Sequence, residues 1–149
     1  MKIAIGSDHG GFSLKEIIKE HLQQKSIEFK DFGTDSEASC DYSEFAEAVG
    51  EAVVSGIYDR GIIICGTGIG ISIAANKIPG VRCAVVGDCF SAKATRQHND
   101  TNILALGARV VGSGLALEIV DTWLGTEFEG GRHQQRIDKI TEIEKKYCR

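Results

Sequence analysis

The chain has 149 residues, 42% hydrophobic and 26% charged, which suits one globular domain (1–149) around one core. Its formal net charge of −4 supplies no global field toward nucleic acid or an anionic membrane, so a bound anion needs a local arrangement of donors. Apolar runs such as Gly61 to Cys65 are too short to span a bilayer, and the opening turns polar at Ser7-Asp8-His9, before a secretory core could form. The expectation is a cytoplasmic protein that engages neither nucleic acid nor membrane.

In chain order, Lys2 to Gly6 reads as a strand, and Phe12 to Gln24 as a helix with Leu14, Ile17, Ile18 and Leu22 at helical spacing. Ile27 to Phe32 alternates apolar and polar residues and closes at Gly33, a second strand. Asp41 or Ser43 could cap the next helix, whose stripe is Phe45, Ala48, Val49, Ala52 and Val53. Gly61 to Cys65 is apolar on both faces, as a central parallel strand should be. The glycine turn Gly66 to Gly70 opens a helix through Ala74 to Asn76, stopped by Pro79. Val81 to Val86 and Ile103 to Leu106 are the last two strands, each followed by a helix, Asp88 to Gln97 and about Ser113 to Leu124. A final helix, roughly His133 to Lys146, is expected to turn Ile137, Ile140 and Ile143 toward the core.

Strands alternating with helices imply an α/β fold, a three-layer Rossmann-like arrangement with helices on both faces of a five-stranded parallel sheet. A flavodoxin-like strand order is the expected topology. Ligands in such sheets bind beyond the carboxyl ends of the strands. That rule selects Asp8-His9, Cys65 to Gly70 and Gly107-Ala108-Arg109. His98-Asn99 ends a helix, and its placement at that rim is open.

The five cysteines, Cys40, Cys65, Cys83, Cys89 and Cys148, include no C-x-x-C pair, so reduced thiols are expected, without a zinc site or disulfide framework. Nucleotide readings fail on particular residues. Gly6 and Gly11 have P-loop spacing, but Phe12 stands where lysine is required; Gly66-Thr67-Gly68-Ile69-Gly70 lacks a dinucleotide fingerprint's small residue at Ile71. A thiol phosphatase would need arginine at that same Ile71. What Gly66 to Gly70 does offer is a row of backbone N–H groups suited to a negative atom, beside Cys65. The plain alternative is that Cys65 is a small buried hydrophobe, against which the glycine nest and the neighbouring Thr67 hydroxyl weigh. Arg132 and Arg136 lie four apart at a helix start, where cations oppose the dipole unless an anion binds. With Arg109 they suggest a phosphate clamp; a solvated face is the plain alternative.

The chain resembles the type B ribose-5-phosphate isomerase family, which includes galactose- and allose-6-phosphate isomerases. The resemblance rests on Gly6-Ser7-Asp8-His9-Gly10-Gly11, the block from Cys65 to Lys77, Arg96-Gln97-His98-Asn99-Asp100 and the block from Gly130 to Arg136. It implies that Cys65 is the base that moves a proton from C2 to C1, that Thr67 orients the thiol, and that His98 assists ring opening. Asp8, His9 and Asn99 would hold sugar hydroxyls, Arg109, Arg132 and Arg136 phosphate, and Gly66, Gly68, Ile69 and Gly70 the enediolate. One branch of the family carries a glutamate base at the position of Ile71; this chain resembles the thiol branch. The resemblance implies a homodimer or homotetramer with shared sites, and no cofactor. No cluster has metal-ligand spacing. Competing readings are an isomerase of a six-carbon 6-phosphate, with the loops around Asp8, Phe12 and Tyr42 setting sugar length, a non-catalytic sugar-phosphate-binding module, and a thiol redox protein.

Overall fold

A computed structural model describes residues 1–148. In chain order its elements are β1 (Lys2–Ser7), a 3-10 turn (His9–Gly11), α1 (Phe12–Gln24), β2 (Glu28–Asp31), α2 (Tyr42–Val54) and β3 (Arg60–Cys65). Then come α3 (Ile69–Ala75), β4 (Cys83–Val85), α4 (Cys89–Asn99), β5 (Ile103–Gly107), α5 (Ser113–Leu124) and α6 (Arg132–Tyr147). All strand pairs are parallel, in the order β2-β1-β3-β5-β4.

Alternation along the strands divides the core in two. Ile3, Ile5, Ile62, Ile64, Leu104 and Leu106 meet Leu14, Ile18 and Leu22 of α1, Ala92 of α4 and Ile119, Val120 and Trp123 of α5. On the opposite face Ala4, Ile63, Cys65, Ile103 and Ala105 meet Ala46, Val49 and Val53 of α2 and Ile71 and Ala75 of α3. These are the two helical layers and central sheet expected of the fold class. Against the flavodoxin order, 2-1-3-4-5, the last two strands are exchanged. Burial explains the exchange: β5 is buried throughout, whereas the three residues of β4 are half-buried or exposed and suit an edge.

The expectation for the final helix needs correction. Ile137 is buried, but Ile140 and Ile143 are 48% and 60% exposed. Helix α6 packs on α4. Beyond Ile137 its apolar stripe instead borders an open groove with Val81, Cys83 and Ala84.

Because every strand is parallel, each connecting helix starts at the rim where strands end and finishes at the rim where they begin. The start rim is held by buried arginines. Arg60 Nη1 donates to the last carbonyls of α5, Trp123 O at 3.0 Å and Leu124 O at 2.9 Å. Arg96 Nη1 donates to Thr101 O at 2.6 Å, and Trp123 Nε1 donates to Thr101 Oγ1 at 3.0 Å. No helix among the described residues is long and apolar enough to cross a membrane.

Candidate active site

At the strand-end rim, Cys65 closes β3 with its side chain 4% exposed. The chain then turns through Gly68, whose φ of +78° is a left-handed value that glycine adopts without a Cβ penalty. This turn aims Gly68 N–H at the Cys65 sulfur, which accepts it at 3.1 Å. Thr67 Oγ1 accepts Ile69 N–H at 3.2 Å, so its hydroxyl caps the loop rather than bonding the thiol. The N–H groups of Gly66, Thr67 and Gly70, in the turn that follows Cys65, make no hydrogen bond to a described residue. Unpartnered N–H groups in succession are the kind of donors that hold an anion.

Two more loops converge there. Asp8, 7% exposed, accepts Gly11 N–H at 3.0 Å and shapes the turn after β1. His9 Nδ1 accepts Cys40 N–H at 3.2 Å, which ties the loop before α2 to the same rim. Arg109 is anchored by its N–H to Gly66 O at 3.0 Å. Its guanidinium lies across two glycines: a Cβ at Gly66 would stand 3.2 Å from Nη1, and one at Gly10 3.6 Å from Nη2. Tyr42 packs on Gly70, where an added Cβ would stand 2.8 Å from its ring.

The remaining candidates lie elsewhere. His98 and Asn99 end α4, and Arg132 and Arg136 begin α6, at the rim where strands start. Glu129 N–H donates to Gln97 O at 3.1 Å and joins these two helix ends. The five steps of about 3.3 Å between the six residues of β3 separate the rims by about 17 Å. One chain therefore does not bring Arg109 together with Arg132 and Arg136, and the three-arginine clamp is not formed within a subunit.

The R-x-H-N-D block is half scaffold. Arg96 is buried and donates to Asp100 Oδ1 at 2.8 Å, and Asp100 caps α4 at a left-handed φ of +44°. His98 and Asn99, between them, are exposed. The His98 ring stacks on that of His133, with centroids 4.4 Å apart and planes 16° from parallel. Burial lowers the His133 pKa from its ordinary value, and His98 and Arg132 lower it further against the pull of Glu129. His98, Glu129 and His133 also form a cluster of possible metal ligands. Spacing in the sequence concealed it, because its members come from α4, the approach to α6 and the first turn of α6.

A family profile described as Ribose/Galactose Isomerase matches residues 3–140. Ribose-5-phosphate isomerase B of Escherichia coli (strain K12) is 55% identical over 145 residues, covering 97% of each chain. The structure of Clostridium thermocellum ribose-5-phosphate isomerase B superposes with a TM-score of 0.98 at 61% identity, covering 99% of this chain and 100% of that one. The Mycoplasma genitalium enzyme, solved with bound ribulose-5-phosphate, superposes with a TM-score of 0.92 at 46% identity, covering 97% and 96%. The chain belongs to the ribose/galactose isomerase family.

Proposed function

We propose that the protein interconverts ribose 5-phosphate and ribulose 5-phosphate, with Cys65 as the proton-transferring base. The observation that carries the mechanism is the Cys65 sulfur held by Gly68 N–H at 3.1 Å beside N–H donors of the same loop. Removal of the C2 proton by the Cys65 thiolate moves the C–H electron pair into a C1–C2 double bond and the carbonyl pair onto O1. The loop N–H groups stabilise that enediolate oxygen, and losing one such donor typically costs about 10²–10³ in rate. Return of the proton to C1, with the O2 hydroxyl proton passing to O1, gives the ketose. Asp8 and His9 hold sugar hydroxyls, and Arg109 a negative oxygen.

His98, Asn99, Arg132 and Arg136 serve the same reaction from a second copy of the chain. The rims lie too far apart for one sugar phosphate to touch both within a subunit, whereas a dimer can set one copy's start rim against the other's Cys65 rim. His98 then assists ring opening, and the two arginines hold phosphate in trans. The side chains named for the reaction are self-sufficient for proton transfer, without a cofactor.

The test follows ketopentose formation from ribose 5-phosphate by the native protein and Cys65→Ala, with allose and galactose 6-phosphates alongside. Turnover that falls by about 10²–10⁴ without the thiol is expected, the usual scale of general-base catalysis. Turnover retained in Cys65→Ala would sink the thiol mechanism. No turnover on any sugar by a folded oligomer would favour a sugar-phosphate-binding module. Mixed Cys65→Ala and Arg136→Ala subunits should recover activity; hetero-oligomers without recovery would rule out the shared site.

A further inference from the structure

The end of α4, the approach to α6 and the first turn of α6 bring two imidazoles and a carboxylate together. One donor atom each from His98, Glu129 and His133 lies within 4.8 Å of the other two. Neither ring forms a hydrogen bond with a described residue, and Glu129 Oε2 stands at 3.4 Å from His133 Nε2, an ion-pair distance. His133 is buried, whereas His98 and Glu129 are exposed. Ligands about 2.0–2.1 Å from a tetrahedral zinc ion stand about 3.4 Å apart. Because the two rings are stacked with planes 16° from parallel, the exposed His98 ring must swing out of the stack to aim its nitrogen at an ion shared with His133 and Glu129. The scaffold is already held by the Glu129 N–H to Gln97 O bond and the Arg96–Asp100 pair.

We propose that His98, Glu129 and His133 form a zinc-binding site, with water as the fourth ligand, and that zinc bound there inhibits isomerisation by occupying His98. Two nitrogens and one oxygen with an open position suit Zn²⁺; Mg²⁺ and Ca²⁺ require more oxygen ligands. Arg132 and Arg136 act on His133 electrostatically and oppose any cation, so donor type rather than charge selects the metal. The inhibition rests on the proposed role of His98; the binding does not.

Binding is read first, with Co²⁺ as a spectroscopic stand-in for Zn²⁺. Chelator-treated native protein and Cys65→Ala should both develop the visible bands of a four-coordinate site without a thiolate charge-transfer band. Zn²⁺ should displace Co²⁺, and Mg²⁺ should not. Glu129→Gln and His133→Gln, checked for folding by circular dichroism, should weaken Zn²⁺ binding by about tenfold or more. Equal affinity in both variants, or a charge-transfer band lost in Cys65→Ala, would overturn the site. The ratio of turnover with and without Zn²⁺ then tests inhibition: native protein should be inhibited, and Glu129→Gln should need about tenfold more Zn²⁺ for the same loss. Inhibition unchanged by Glu129→Gln would overturn the second half. A protein without isomerase activity would still report on the site through the Co²⁺ spectrum.

Discussion

Arg96 Nη1 donates to Asp100 Oδ1 at 2.8 Å, and this pair brackets the exposed His98 and Asn99 at the end of α4. Arg96 also reaches Thr101 O at 2.6 Å and Thr126 O at 3.3 Å, so one buried guanidinium fixes the helix end and the two strands of chain around it. Arg96→Met leaves these acceptors without that donor and should cost about 1–3 kcal/mol in urea denaturation. Asp100 adds a backbone constraint, since its φ is +44°. Asp100→Gly removes the ion pair but suits the left-handed backbone; Asp100→Ala removes the pair and keeps the penalty. The alanine variant should be the less stable by roughly 1 kcal/mol. Equal stabilities would show that the cap carries no backbone strain.

Gly68 makes a comparable demand at the other rim. A Cβ there would stand 2.9 Å from the backbone carbonyl carbon of Leu106, at a φ of +78°. Backbone cannot yield as a flexible side chain does, so Gly68→Ala should displace the turn and withdraw its N–H from the Cys65 sulfur. A stability loss of about 1–3 kcal/mol is expected from the backbone conformation alone. Turnover should fall by more than the unfolded fraction explains, measured well below the melting temperature. A variant that is destabilised yet fully active would separate the turn from the chemistry.

Local pattern carried the secondary structure well: the helices at Phe12–Gln24 and Ser113–Leu124 fall where apolar spacing places them. Strand order was less legible. Exchanging β4 and β5 leaves each segment's own pattern intact, and the short, half-exposed β4 becomes decisive only in three dimensions. Ile140 and Ile143 show the same limit, because a helical stripe reports an apolar face without reporting what covers it. At the site, Cys65 and its glycine row announced themselves through contiguous residues. The separation of His98, Arg132 and Arg136 from Cys65 follows from helix direction, which a motif does not encode. The Arg96–Asp100 scaffold was hidden because charged residues in a functional block look like participants.

Arg109 spans Gly10 and Gly66 with no carboxylate within ion-pair distance among the described residues, so its charge is available to a ligand. Charge-assisted hydrogen bonds contribute about 1.5–3 kcal/mol, so Arg109→Ala should reduce kcat/KM by roughly 10–150-fold. Arg109→Lys keeps the charge but loses the planar fork, and should recover only part of the loss. Full recovery by lysine would mean that Arg109 acts as a point charge; no loss in alanine would remove it from the substrate site.

Lys15, fully buried in α1, donates to Asp31 Oδ1 at 2.7 Å and to Thr34 O, and thereby holds the start of the loop that carries Cys40 toward His9. Burial pushes the Asp31 carboxyl up, but hydrogen bonds from Lys15, Lys19 and Gly33 outweigh it and hold the group below the ordinary carboxylate range. A carboxyl lowered on folding contributes stability that is present above its unfolded value, about pH 4, and lost as pH falls through the folded value. Asp31→Asn removes this contribution at every pH. Native protein should therefore melt above the variant at about pH 7 and pH 5, and the gap should narrow by about pH 3. A gap that stays constant across that range would show that the Asp31 charge does not stabilise the fold. Because Lys15 also holds Thr34, the amide protons of the loop from 34 to 41 should lose exchange protection in Asp31→Asn before those of the central strands do.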